Sequence, residues 1–138
     1  MTSRATDKSP RHCLAKSQIL RGHDVFRNVL SRGRHVHSQH VRCFYLMETA
    51  IPPSECQVGF AVRKAPSAVL RNRVRRLMRE SWRQGRHALA AACAAHDIRM
   101  TCVFLYDFRR AGQAPSFADV DERMRCLLHT IEESIVKA

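Results

Sequence analysis

Apolar and polar positions change their period several times along this chain of 138 residues, which indicates a mixture of helices and strands. Apolar and polar side chains alternate from about Arg34 to Ala50 and again from Cys56 to Arg63, as they do in strands with one buried face. The first stretch predicts one strand preceded by a shorter one, and Pro52 ends it because proline cannot donate to a sheet. Ile98 to Phe108 predicts the next strand.

Helical spacing appears between and around these stretches. Asp24 offers an N-cap and Gly33 a stop for a short first helix with this apolar face: Val25, Phe26, Val29 and Leu30. A long helix is predicted from Ala68 to about Gly85, and Ser116 with Asp119 can cap a final helix. The final helix has a continuous apolar face made of Phe117, Val120, Met124, Leu127, Leu128, Ile131 and Ile135.

The long helix carries the most unusual surface of the chain. A narrow apolar stripe includes Val69 or Leu70, Val74, Leu77, Met78 or Ser81, and Trp82. Arginines cover the rest at positions Arg71, Arg73, Arg75, Arg76, Arg79 and Arg83, and the nearest acid is Glu80. Like charges one helical turn apart cost roughly 0.2–0.5 kcal/mol per pair, so this surface weakens the free helix slightly. An ordinary solvated face carries both positive and negative side chains, whereas this one is almost entirely positive. It therefore predicts binding to a polyanion through the forked arginine side chains.

The order of elements is α-β-β-β-α-β-α, and the alanine-rich stretch from His87 to His96 either extends the long helix or starts another. This order predicts an α+β fold, a two-layer sandwich in which helices cover mainly one side of a small sheet of about four strands. Residues 1–19 are polar and basic without periodicity and predict a flexible arm, which leaves residues 20–138 as one domain.

Charge and composition narrow the function further. The chain has 24 Lys and Arg against 12 Asp and Glu, a net charge of +12 and 45% hydrophobic residues. This balance points to nucleic acid or an anionic membrane surface as the partner. No apolar run approaches the roughly 18 residues of a spanning helix, and the first residues lack the apolar region of a signal peptide. We therefore expect a cytoplasmic protein without a membrane partner.

The residues with metal-ligating or nucleophilic side chains show little organisation. None of the six cysteines forms a C-x-x-C pair, so most are expected to be buried thiols, and a single disulfide remains as an alternative. The six are Cys13, Cys43, Cys56, Cys93, Cys102 and Cys126. His35 and His37 share one face of a strand while His40 points away, so the histidines are expected to be polar or RNA-facing and not metal ligands. No paired carboxylates or Ser/His/Asp set is evident.

With these motifs in place, residues of about 19–132 resemble the protein subunit of bacterial ribonuclease P, which removes 5′ leaders from precursor tRNA. The most specific similarity runs through Val58-Gly59-Phe60, Arg63-Lys64, Ala68-Val69 and the R-N-R signature from Arg71 to Glu80. Phe26 followed by Gly33, and Asp97 before a strand, also match the family pattern. Pro66 replaces the usual glycine before the R-N-R helix, the segment from Gly59 to Ala68 is about one residue short, and Leu30 replaces a second aromatic.

The resemblance implies a division of labour between protein and RNA. It implies the predicted element order, with an unusual left-handed β-α-β crossover through the arginine helix. The RNA subunit performs the hydrolysis with bound magnesium, and the protein binds that RNA and the leader of precursor tRNA, without catalytic residues, a cofactor or an obligate protein partner of its own. The residues implied to contact the RNA subunit are Arg63, Lys64, Arg71, Asn72, Arg73, Arg75, Arg76 and Arg79. Those implied to line a leader groove between the first helix and the sheet are Phe26, Leu30 and either Phe44 or Tyr45, depending on which strand face is open.

Three other functions remain open from the residues. A structural RNA-binding protein, such as a ribosomal protein, would carry the same kind of basic helix without handling a substrate. A free-standing hydrolase would use Cys43, Cys56 or a histidine as its reactive group and would act without RNA. DNA binding is less well supported because no helix-turn-helix spacing or dimerising heptad is evident.

Overall fold

The computed structural model describes residues 23–49, 51, 56–111 and 115–137, so the predicted arm at residues 1–19 lies outside the described part. The elements in chain order are α1 (His23–Arg32), β1 (Arg34–Ser38), β2 (Val41–Thr49), β3 (Gln57–Arg63), α2 (Ala68–Gly85), α3 (His87–Ala95), β4 (Ile98–Asp107), α4 (Phe108–Ala111) and α5 (Phe117–Lys137).

The four strands form one mixed sheet in the order β1-β2-β4-β3. Strand β2 pairs antiparallel with β1 and with β4, while β3 runs parallel to β4. The parallel pair is joined by a crossover through α2 and α3. The predicted α+β class, four-stranded sheet and element order are confirmed, and the left-handed sense of the crossover stays a prediction.

One face of the sheet is buried under α2, α3 and α5, and we call it the covered face. Strand alternation supplies its core, because every second residue of β2 and β4 points toward these helices. The fully buried side chains of this core include Cys43, Val58, Val74, Met78, Trp82, Cys102, Phe104, Tyr106, Met124 and Ile131. The face that helical periodicity predicts for α5 is buried, except that Phe117 at its start is half-buried.

The opposite face of the sheet, here called the open face, carries only α1 among the described helices. Val29 of α1 and Val103 of β4 form a small buried cluster there, with Phe26, Phe44 and Leu46 packed against it. Gly33 lets the end of α1 approach β2, because a Cβ at this position would overlap the carbonyl oxygen of Val29 and lie 3.0 Å from that of Tyr45. The sheet is therefore covered mainly on one side, with α1 occupying part of the other.

Two predicted boundaries differ from the structure, and one open alternative is decided. Helix α1 begins at His23, so Asp24 lies in its first turn and is not the N-cap. The strand predicted to reach Phe108 ends at Asp107, and Phe108 instead begins the short helix α4. The alanine-rich stretch, for which the sequence leaves two alternatives open, forms a separate helix, α3, with Arg86 between it and α2.

The predicted cap of α5 is present. The backbone N–H of Asp119 donates to Ser116 Oγ at 3.2 Å, and the N–H of Ser116 donates to Asp119 Oδ2 at 3.3 Å. This reciprocal pair satisfies two N–H groups that a helix end leaves without partners.

We expect Ser116→Ala to lower the free energy of unfolding by about 1 kcal/mol, because one backbone N–H of α5 loses its acceptor. Urea denaturation followed by circular dichroism measures the change. Thr130→Ala is the matched control, since the Thr130 hydroxyl is exposed and donates only to the Cys126 carbonyl one turn earlier in the same helix. Equal losses in both variants would contradict a capping role for Ser116.

Candidate RNA-binding surfaces

Helix α2 is fixed to the core along one narrow side. Ser67 caps its N-terminus by accepting a hydrogen bond from the Leu70 N–H at 3.2 Å. Val74, Met78 and Trp82 are buried, and the Trp82 ring packs against Phe104 with ring centroids 5.6 Å apart. This buried stripe sets the rotation of the helix and turns its other side outward.

A polar contact adds to this packing between α2 and α5. The buried hydroxyl of Ser81 donates to Asp121 Oδ1 at 2.7 Å, and Arg125 Nε donates to Asp121 Oδ2 at 2.7 Å. Asp121 therefore accepts from both helices, and the pairing of Ser81 explains how a polar residue lies within the apolar stripe.

The outward side of α2, which we call the α2 basic face, consists of Arg71, Asn72, Arg73, Arg75, Arg76 and Arg79. All six side chains are exposed. Within the described residues none of these arginines is paired with an acid, whereas Arg83 pairs with Glu80 and Arg99 with Glu48. Five uncompensated guanidinium groups thus lie along less than three helical turns, an arrangement that suits phosphate oxygens.

The structure decides between Val69 and Leu70, the two residues offered for the start of the apolar stripe of α2. Leu70 packs against the core, while Val69 is 77% exposed and lies beside Asn72 and Arg73 at helical spacing. Val69 is therefore an exposed apolar side chain next to the α2 basic face.

The turn before α2 extends the positive charge. Arg63 and Lys64 are exposed at the end of β3, and Lys64 has a φ of 60°. Lys64 is therefore in the left-handed region, and Pro66 stands where the family pattern has glycine. The shortened connection therefore still delivers Ser67 to the capping position of α2.

A buried carboxylate lies beside this turn. Asp107 is paired in register with Arg63 and accepts a hydrogen bond from the Arg109 N–H at 3.0 Å. Burial alone would raise the pKa of Asp107, but the hydrogen bonds from Arg109 and the charges of Arg109 and Arg63 outweigh it and hold that pKa below its usual value. Asp107 thus stays ionised and retains two arginines at the carboxyl ends of the parallel strands.

The open face provides the second surface. Phe44 of β2 lies on this face and is half-buried, as is Phe26 of α1, which packs on the same small cluster. Leu30 is 38% exposed one turn after Phe26. Tyr45 is on the covered face, 3% exposed, with its hydroxyl 3.4 Å from that of Ser134. The strand geometry therefore selects Phe44 over Tyr45 and corrects the inclusion of Tyr45 among the groove residues.

The histidines divide between the two faces as expected. His35 and His37 lie on the open face, and the ring of His40 contacts Tyr106 on the covered face, with centroids 4.9 Å apart. Across the described part of the chain, no three His, Cys, Asp or Glu side chains converge in a way that could hold a metal ion.

The cysteines are mainly core residues. Cys43, Cys93 and Cys102 are buried, Cys126 is exposed, and Cys13 lies outside the described residues. The sulfur atoms of Cys56 and Cys93 are 3.8 Å apart and form no disulfide. The hydrogen bond between the two thiols and burial both raise the pKa of Cys93, so this thiol is not ionised at neutral pH.

Comparisons with known proteins agree with this architecture. The family model described as Ribonuclease P matches residues 14–132. This chain belongs to the ribonuclease P protein family. The ribonuclease P protein component of Chlorobium phaeobacteroides is 30% identical over 131 residues, covering 88% of this chain and 89% of that protein. That of Desulfovibrio desulfuricans is 39% identical over 80 residues, covering 57% of this chain and 61% of that protein.

Solved structures of the family share the fold. The ribonuclease P protein of Staphylococcus aureus superimposes with a TM-score of 0.65 at 15% identity, over 84% of this chain and 96% of that one. The protein of Thermotoga maritima gives 0.60 at 17% identity, over 79% and 93%. No helix among the described residues is both long and apolar enough to cross a membrane.

Proposed function

We propose that this chain is the protein subunit of the ribonuclease P ribonucleoprotein and assists the endonucleolytic removal of 5′ leaders in tRNA maturation. The α2 basic face binds the catalytic RNA, and the open face beside α1 receives the leader of precursor tRNA. Hydrolysis is performed by the RNA subunit with its own magnesium ions. The protein is cytoplasmic and acts as a subunit without catalytic residues.

The uncompensated charge of the α2 basic face is the observation that carries this proposal. Arginines that repel one another in the free helix are stabilised only when an external polyanion lies against them. The guanidinium groups can each bind two phosphate oxygens, and the amide of Asn72 can hydrogen-bond a phosphate or a 2′-hydroxyl. The exposed Arg63 and Lys64 lengthen the surface toward the sheet.

The open face supports the role in leader binding. Phe26 and Phe44 offer partly exposed aromatic rings on which an unpaired base can stack, and such stacking tolerates any base. Leu30 provides apolar contact where the family usually has a second aromatic. A surface of this composition fits single-stranded RNA of variable sequence, as leaders require.

The decisive experiment is reconstitution with a bacterial ribonuclease P RNA at low magnesium. We expect the full chain to raise the rate of precursor tRNA cleavage well above that of the RNA alone, because the protein neutralises phosphates that magnesium would otherwise screen. The full chain without RNA should show no nuclease activity. An absence of stimulation would favour a structural RNA-binding protein, and RNA-independent cleavage would favour a hydrolase.

The hydrolase alternative has little support from its candidate cysteine nucleophiles. Cys43 is fully buried, and the sulfur of Cys56 lies against that of Cys93. A nucleophilic thiol has to be accessible to its substrate and activated as a thiolate, which an apolar core and a second thiol do not favour.

A further inference from the structure

Four side chains on the open face form a compact group at the free edge of the sheet, and we call them the edge quartet: His35, His37, Arg42 and Phe44. Strand β1 is the edge strand, and its register pairs His35 with Phe44 and His37 with Arg42. All four therefore project from the same face of two neighbouring strands. The quartet continues the aromatic surface of Phe26 and Phe44 toward solvent.

The His35 ring is stacked on Phe44. The His35 and Phe44 centroids are 4.7 Å apart with an interplanar angle of 23°, whereas the His35 and His37 rings are tilted by 31° with centroids 5.8 Å apart. His35 and His37 are nevertheless exposed, while Phe44 is half-buried beneath them. An exposed imidazole stacked on a supported phenyl ring presents a flat surface to a base and a nitrogen to a phosphate.

The charges around the quartet favour an anion. Burial, Arg42 and His37, in that order, lower the pKa of His35 below 6.5, so this imidazole is neutral in the free protein at pH 7. No acid of the described residues is paired with His35, His37 or Arg42, and Glu48, which is on the same strand as Arg42, binds Arg99.

The other elements packed near β1 do not change this balance. Helix α5 contacts β1 from the covered face, where its Arg123 and Asp119 act on His40. Helix α1, on the open face, carries the exposed Arg27 and Arg32. The open side of β1 therefore presents a neutral His35 imidazole beside the positive charge of Arg42.

We propose that the edge quartet binds one base and the adjoining phosphate of the leader strand, and that His35 takes up a proton when this RNA binds. This inference rests on the proposed function and adds a proton-linked contact to it. A phosphate beside His35 offsets the repulsion from Arg42 and His37, so the protonated form becomes favourable in the complex. Affinity for the leader then rises as the pH falls through the pKa of His35 in the complex toward its pKa in the free protein.

The first test measures leader selectivity against pH in the reconstituted ribonucleoprotein. The ratio of affinities for a non-cleavable precursor tRNA and for mature tRNA isolates the leader contribution. We expect this ratio to rise by about tenfold between pH 7.5 and pH 5.5, since each unit of pKa shift corresponds to a factor of ten. The double variant His35→Gln/His37→Gln should remove most of the rise and leave a leader preference that does not change with pH.

His87→Gln is the matched control because His87 is equally exposed but lies on α3 at the covered side of the sheet. It should retain the full rise. If the affinity ratio of the wild type is above one but does not change with pH, the proposal for the edge quartet is wrong and the proposed function still holds. If the ratio is one at every pH, the chain does not bind the leader, and the proposed role in leader binding is wrong as well. A rise that persists in the double variant would overturn the assignment to His35 and give the proton uptake to another group, such as His40.

The second test observes the protons directly. Histidine resonances of the full chain are titrated by NMR with and without a single-stranded RNA of ten nucleotides. We expect the pKa of His35 to move upward on binding. An unchanged His35 pKa in the presence of saturating RNA would overturn the proposal independently of any activity.

Discussion

Replacing Arg71 and Arg73 together by alanine is expected to weaken binding of the ribonuclease P RNA by about 1.5–3 kcal/mol for each charge-assisted hydrogen bond that is removed. Both side chains belong to the α2 basic face, are exposed, and have no acidic partner among the described residues. The salt dependence should change as well, because each phosphate that is neutralised adds about one unit to the slope of log affinity against log salt. Filter binding at several salt concentrations measures both effects.

The structure provides a control of equal charge. Arg99 and Arg125 are already paired with Glu48 and Asp121, so Arg99→Ala/Arg125→Ala removes two positive charges that the chain itself compensates. This control should leave the salt slope nearly unchanged. If both double variants lowered affinity and slope equally, total charge and not the α2 basic face would explain RNA binding.

Stability measurements distinguish a weakened interface from a disrupted fold in the same variant. Arg71 and Arg75 lie one helical turn apart and repel each other, so truncating Arg71 should not lower the free energy of unfolding. Denaturation of the Arg71→Ala/Arg73→Ala variant with urea checks this. A variant that folds normally and binds RNA weakly assigns the effect to the interface.

The α2 basic face could be predicted from the sequence because helical periodicity is strong over a long segment. Val74, Met78 and Trp82 recur on one side, so the positions between them had to face outward once the helix packed on the core. Ser81 and Leu70 were ambiguous, since a period of 3.6 places both near the border of the stripe. Only the contact of Ser81 with Asp121, which is 40 residues distant, determines its place.

The open face was harder to predict because alternation shows that a strand has two faces but not which face the helices cover. Phe44 and Tyr45 are both aromatic, and nothing local distinguishes a ring that packs under α5 from one that faces α1. The pairing of His35 with Phe44 likewise depends on the register of β1 and β2. That register is set by the two-residue turn between the strands, where Gln39 has a φ of 53°.

Local backbone geometry accounts for the remaining differences. The sequence offers Asp24 as a cap, but the helix begins one residue earlier, which is within the usual variation of helix ends. At the β3–α2 turn the family pattern has glycine, and here Lys64 adopts the left-handed conformation at some cost in free energy. Comparison with the family motif shows that the glycine is missing, but it does not show that Lys64 has a positive φ.

Phe26→Ala is expected to lower the affinity for leader-bearing precursor tRNA by about 1–3 kcal/mol relative to mature tRNA, the value of one stacked base. Phe26 is partly exposed but also packs on the cluster of Val29 and Val103, so its removal has a structural component. Phe26→Leu retains much of the apolar volume and removes the aromatic face. Equilibrium binding of the two tRNAs to the reconstituted complex separates these contributions.

Comparing leader selectivity and stability in Phe26→Ala and Phe26→Leu decides the role of Phe26. A stacking role predicts that Phe26→Leu keeps its free energy of unfolding but loses leader selectivity, because leucine packs in the cluster without offering a ring to a base. Phe117→Leu is the control, since Phe117 is also half-buried but lies at the start of α5, which packs on the covered face. If Phe26→Leu bound both tRNAs as the wild type does, the ring would serve only the core, and the leader would have to depend on Phe44 and the edge quartet.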